Sequence, residues 1–249
     1  MKIKTLLTSL VLLISYNSVY TQDAKEIVRK AYEKTNGKTS KSIMSMTIVR
    51  PSWSRTVEFK SWTKGTDYAM VYIMSPAKEK GQVFLKRQKE MWNWVPSIKR
   101  LIKLPPSMMS QSWMGSDFTN DDLVNQSSII SDYNHKIIGS ENIDGYDCYK
   151  IELIPHDDAA IVWGKIITWI SKKDFNTLKN EYYDEDMILV QTEEASNIKQ
   201  MGGKTIPTKF TITPVNKKGH KTILEFKSIE FDIPIEDEFF SQQNMKKIN

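Results

Sequence analysis

Ile43-Met44-Ser45-Met46-Thr47-Ile48, then Val57-Glu58-Phe59-Lys60, then Tyr68-Ala69-Met70-Val71-Tyr72-Ile73-Met74 decide the class of fold. Apolar residues recur at every second position of each run, the period of a strand rather than of a helix. Met44, Met46 and Ile48 share one face of the first run. Val57 and Phe59 alternate with Glu58 and Lys60 in the second. In the third, Tyr68, Met70, Tyr72 and Met74 take one face, and Ala69, Val71 and Ile73 the other. Shorter strands follow at 83–86, 91–95 and 98–102, parted by Gly81, Lys89-Glu90 and Pro96-Ser97. The spacing predicts an antiparallel meander.

Pro105-Pro106 interrupts this pattern, and a stretch rich in Met and Trp runs from Ser107 to Gly115. Strands resume near 136–138, 148–154, 163–170, 178–183, 188–195, 208–214 and 222–231. Two helix starts are legible. Asp23 with Glu26 three positions later reads as an N-cap, followed by the stripe Ile27, Val28, Ala31, Tyr32 and the stop Asn36-Gly37. Thr119-Asn120-Asp121-Asp122 is a second capping box. No linker, composition break or repeat divides the 249 residues.

Met1-Lys2-Ile3-Lys4 and the apolar run Leu6 to Ile14 read as a secretory leader, too short for a membrane span. Cleavage is expected between Ser18 and Asp23, giving a leader at 1–21 and one domain at 22–249. No Cys follows the apolar run, so the mature chain is expected to be secreted, soluble, periplasmic and not lipidated. Losing Lys2 and Lys4 and no acid lowers the formal charge from +5 to +3.

The chemistry motifs are thin. There is no nucleophile elbow, phosphate loop, His-Glu-x-x-His or Cys-x-x-Cys, so catalytic residues, metal and cofactor are expected to be absent. His156-Asp157-Asp158 and Asp184-Glu185-Asp186 read as solvated turns. Cys148 reads as a structural strand cysteine. The basic run Lys78, Lys80, Lys86, Arg87, Lys89, Lys99, Arg100 and Lys103 reads as an outer face, with anionic headgroups or an acidic partner as the alternative. Secretion argues against nucleic acid.

The anomaly is the placing of soft and aromatic bulk. Five of the seven Trp lie between residues 53 and 113, and eight of the twelve Met between 44 and 114. Loops seldom carry so much apolar bulk unless it covers something. Met adapts its shape to variable apolar partners, so this segment could serve as a lid.

Met114-Gly115-Ser116-Asp117-Phe118-Thr119-Asn120-Asp121-Asp122-Leu123, preceded by Trp94-Val95-Pro96-Ser97 and Lys99-Arg100, resembles the outer-membrane lipoprotein-sorting (LolA-like) superfamily, in its longer periplasmic branch. The resemblance implies an α+β fold: an antiparallel sheet curled into an open, unclosed barrel with helices plugging the concave face. It implies an apolar cavity for the acyl chains of a lipid or lipoprotein passed between envelope membranes. An inner-membrane transporter and an outer-membrane acceptor are the implied partners. The alternative is a non-carrying sensor or accessory subunit of an envelope transport complex. The family's lipoprotein carrier has a cavity arginine, to which neither Arg50 nor Arg55 aligns. Taking the more apolar face of each strand as the inward one, the expected lipid-binding residues are Met44, Met46, Ile48, Val57, Phe59, Tyr68, Met70, Tyr72, Trp92 and Trp94. The lid adds Met108, Met109, Trp113, Met114 and Phe118.

Overall fold

The computed structural model describes residues 23–125, 129–159 and 161–248; the expected leader lies outside them. The first described element is α1 (Ala24–Asn36). The Asp23 carboxylate accepts from the Lys25 N–H at 3.0 Å, as the capping pattern requires. Gly37 ends α1 at φ 65°, where a side chain would be strained and would press on Phe231 and Asp232.

Six strands follow: β1 (Thr39–Arg50), β2 (Trp53–Lys64), β3 (Tyr68–Ser75), β4 (Val83–Arg87), β5 (Glu90–Val95) and β6 (Arg100–Lys103). A crossing segment then contains the short helix α2 (Asn120–Asn125). Seven more strands complete the sheet: β7 (Tyr133–Ile143), β8 (Tyr146–Pro155), β9 (Lys165–Ser171), β10 (Thr177–Tyr183), β11 (Leu189–Met201), β12 (Lys204–Pro214) and β13 (Lys221–Phe231). The chain closes with α3 (Gln242–Met245). Several strands run further than the alternation alone predicts. β11 and β12 extend to a Gly202-Gly203 hairpin, both glycines at positive φ.

All thirteen strands form one antiparallel sheet, in the order β6-β5-β4-β3-β2-β1-β13-β12-β11-β10-β9-β8-β7. It curls without closing, so β6 and β7 are its two edges. Strand twist bends such a sheet, and register shifts at Ile43/Met44, Glu58/Phe59, Ile137/Gly139 and Tyr182/Tyr183 add to the bend.

Over β3 to β5 both faces of the sheet are apolar, and each is covered. On the concave side α1 packs Ile27, Val28 and Ala31 against Ile151, Leu153, Ile166 and Ile170 of β8 and β9. The crossing segment covers the other half, against Met44, Met46, Ile48, Val57, Phe59 and Ile73. On the convex side the C-terminal segment lays Phe239, Phe240 and Met245 over Trp62, Met70, Tyr72, Leu85 and Trp92. Tyr68 stacks on Phe240 with ring centroids 5.4 Å apart. Among the described residues no helix is long and apolar enough to cross a membrane.

Candidate functional site: a cavity under a latched crossing segment

Topology explains the crossing segment. β6 and β7 are opposite edges of an open sheet, so the chain between them must traverse the concave side. Trp113 is the anchor of that traverse. It is 3% exposed and meets Phe59 and Phe84 edge-on, at centroid distances of 5.9 and 5.4 Å. Such geometry adds about 0.5–1.5 kcal/mol per pair beyond area burial.

The Gly115-Ser116-Asp117-Phe118 motif latches the segment down. The Ser116 hydroxyl donates to the Trp113 carbonyl at 2.7 Å and accepts from the Phe118 N–H at 3.1 Å. Asp117 Oδ2 accepts from Arg50 Nη1 at 3.0 Å and from the Thr222 hydroxyl at 2.7 Å. Arg50 Nη2 also donates to the Gly115 carbonyl at 2.8 Å, and Arg55 donates to that of Met114. These clamps hold Met114 and Gly115 at φ 52° and 74°, a left-handed pair that glycine adopts freely and methionine does not. Arg50 and Arg55 therefore serve the latch, and neither lines the cavity.

Beyond the latch, the capping box forms as a reciprocal pair. The Asp122 N–H donates to Thr119 Oγ1 at 3.1 Å, and Asp122 Oδ2 accepts from the Thr119 N–H at 2.7 Å. Asp122 Oδ1 also accepts from Trp163 Nε1 at 2.9 Å. Burial pushes the Asp122 carboxyl up, against the opposing pull of these hydrogen bonds. Thr119→Ala should cost about 1 kcal/mol through the lost cap, measured by denaturant unfolding. It should also weaken retention of a ligand held in the cavity more than an equally destabilising surface change, because α2 borders that space.

Between α1, the crossing segment and the sheet lies a partly enclosed cavity of about 290 Å³. An engineered apolar cavity of about 150 Å³ already holds benzene, and native cores seldom leave voids larger than a water. The space is thus more than a packing defect. Its apolar walls come from Met44, Phe59, Val71, Trp113, Phe118 and Phe226 among others.

The structure divides the residues read as lipid-binding. Met44, Phe59, Trp113 and Phe118 line the cavity. Met46, Ile48 and Val57 lie fully buried in the same inner cluster, with Met109 and Met114 packed against it. Met108 is half-buried and belongs to neither apolar cluster. Tyr68, Met70, Tyr72, Trp92 and Trp94 are instead on the convex face, under the C-terminal segment. The inward residues of β3 to β5 are Val71, Ile73, Phe84 and Met91. Choosing the more apolar face fails there because both faces are apolar, and the aromatic one is covered from outside.

One part of the cavity wall escaped the sequence reading. Thr168, Asn180, Tyr182, Gln191 and Glu193 stand side by side on the inner face of β9, β10 and β11. Glu193 Oε2 accepts from the Tyr182 hydroxyl at 2.7 Å and from Asn180 Nδ2 at 3.1 Å. Burial pushes the Glu193 carboxyl up, and the Tyr182 hydroxyl well up, from their ordinary values. The signal was present: polar residues two apart in adjacent strands, Asn180 with Tyr182 and Gln191 with Glu193, where an inner face should be apolar.

Other candidate groups do not converge on this space. Cys148 is fully buried on the convex side among Ile167, Trp169 and Leu178; its Sγ reaches the Tyr146 carbonyl at 3.3 Å, and burial raises its thiol pKa. His156, Asp157 and Asp158 lie in the β8–β9 connection. Among the described residues no group of three or more His, Cys, Asp and Glu is placed to hold a metal.

The profile of a family described as "-like: Uncharacterized protein" matches residues 65–247, most of the chain. The chain belongs to that family. Solved structures then identify its architecture. A DUF1329 family protein from Desulfovibrio piger superposes with a TM-score of 0.81 at 22% identity, over 89% of this chain and 97% of its own. A LolA superfamily protein from Nitrosomonas europaea gives 0.77 at 23%, over 89% and 98%. A domain from Vibrio parahaemolyticus, named for outer membrane lipoprotein sorting, gives 0.78 at 24%, over 90% and 98%. At these identities the likeness establishes the LolA-type fold. No curated protein matches the chain. In this LolA-like fold the sheet, the α1 plug and the latched crossing segment are the parts that enclose the cavity.

Proposed function

We propose that this chain is a periplasmic carrier, one domain over residues 22–249 behind a leader at 1–21. It holds the acyl chains of a lipid or lipoprotein under its crossing segment and passes them between envelope membranes. The observation that carries the reading is the cavity of about 290 Å³ between the sheet and the crossing segment, walled by Met44, Phe59, Trp113 and Phe118. The LolA-type fold supports it. The energetics require such a device: exposing a chain of about 16 carbons to water costs roughly 12 kcal/mol, at about 0.8 kcal/mol per CH₂. A carrier needs an adaptable lining and a movable cover, and no bond-making step. It also needs a loading and an unloading partner, an inner-membrane transporter and an outer-membrane acceptor.

Native mass spectrometry of the purified protein should find a lipid bound. Added long-chain lipid should shift Trp emission and raise the melting temperature in a saturable way, because Trp113 and Trp163 both line the cavity. Met109→Asp at the cover should abolish this response in a protein that still folds. Absence of both co-purified lipid and saturable binding would overturn the carrier and leave the same fold as an accessory subunit.

A further inference from the structure

The wall formed by Thr168, Gln191 and Glu193 carries polar capacity that the protein does not use. Gln191 is 6% exposed and Thr168 5%, yet neither side chain takes a hydrogen-bond partner among the described residues, and both line the cavity. Glu193 receives both of its protein hydrogen bonds on Oε2, which leaves Oε1 without one. Tyr182 and Glu193 sit deep inside the fold but retain accessible surface, and that surface is cavity wall. Ser42 of β1 is 4% exposed, faces the same space and is likewise unpartnered. Polar side chains as buried as Gln191 and Thr168 are almost always hydrogen-bonded in native proteins, so two idle ones that keep their remaining surface toward one void indicate a polar group that belongs there.

Charge then narrows the class of that group. Among the described residues no Lys, Arg or His lines the cavity, while Asp121, Asp122 and Glu193 do. A phosphate or a fatty-acid carboxylate seated at this wall would be desolvated beside carboxyl groups and would lack a neutralising partner. An uncharged hydroxyl, ester or amide meets the idle atoms on both counts. It offers a donor or acceptor to the Gln191 amide, the Thr168 hydroxyl and Glu193 Oε1, and brings no charge.

We propose that the cavity selects an uncharged lipid whose hydroxyl, ester or amide group seats against Thr168, Gln191 and Glu193, and that it rejects anionic head groups at that position. This inference rests on the carrier reading and names its ligand class. An acylglycerol is such a lipid, and it could be free or attached to a protein; the chemistry is shared.

The test uses the mature chain and two probes of equal chain length, monoolein and oleate, with binding followed by Trp emission and calorimetry at neutral pH. Monoolein should bind at least tenfold tighter. The nearly isosteric pair Thr168→Val and Gln191→Met should bring the two probes within about threefold, mainly by weakening monoolein. Glu193→Gln removes a carboxyl but keeps a hydrogen-bonding group, so it should retain monoolein and tighten oleate. Equal or tighter binding of oleate by the unmodified chain, or an unchanged ratio in the folded Thr168→Val/Gln191→Met variant, overturns the selectivity while leaving the carrier intact. Failure of both probes, with no co-purified lipid, overturns the carrier itself and this inference with it. A short peptide bearing a diacylglyceryl cysteine separates the sources: tighter binding than monoolein assigns the acylglycerol to a lipoprotein, weaker binding to a free lipid.

Discussion

Trp113→Ala should lower stability by about 3–5 kcal/mol and abolish saturable lipid binding. The first figure follows from removing a buried indole that touches Phe59 and Phe84 and leaving a cavity in its place. It is a large share of the 5–15 kcal/mol that typically separates folded from unfolded protein. The second effect follows from position, since the indole is both a wall of the cavity and the anchor of its cover. Trp113→Phe keeps most of the ring contact and should retain binding with a smaller emission change. Denaturant unfolding and a lipid titration measure the two effects separately. A loss under about 1 kcal/mol with binding intact would show that the cover is held elsewhere.

Arg50→Ala should be of similar size, about 3–5 kcal/mol, for an electrostatic reason. The side chains of Arg50 and Asp117 are only 10% and 4% exposed. Removing one partner of a buried pair leaves the other charge desolvated and uncompensated. The exposed Arg29–Glu26 pair of α1 contributes far less because water screens it. Arg50→Met combined with Asp117→Leu should recover part of the loss, which distinguishes an orphaned charge from lost packing. The single variant should also open the crossing segment to proteolysis between residues 104 and 118. Simple additivity of the two changes, with unchanged protease resistance, would dismiss the latch.

Much of this architecture can be read from local pattern. Alternation at Met44 to Ile48 and Val57 to Phe59 finds the strands and their inward side, because only one face there is apolar. The capping residues Asp23 and Thr119 mark two helix starts, because a cap is a contact within three residues. What escapes is set by distant partners. Tyr68, Met70, Tyr72, Trp92 and Trp94 read as cavity residues until Phe239, Phe240 and Met245 are seen to cover them. The polar wall escapes for a related reason: Asn180 and Glu193 resemble solvated strand positions until the curl of the sheet turns them inward. Local periodicity records that a strand has two faces. Which of them encloses a void depends on the sign of the curvature.

The order of the strands also has a kinetic side. Every ladder but one joins strands that are adjacent along the chain, so each of the two runs, β1–β6 and β7–β13, can zip up from its own turns. The exception is the seam between β1 and β13, which brings residue 44 beside residue 226. Pairing across such a separation carries a loop-closure cost before it returns any contact, and slow steps in β-proteins have this character. Until the seam closes, the hydrophobic inner faces of two separate half-sheets are bare, each with an unpaired strand edge ready to accept a wrong neighbour. The cavity does not exist before that moment either, because its walls come from both halves. Completion of folding and formation of the cavity are therefore one event, and the chain is most open to aggregation just before its cavity takes shape.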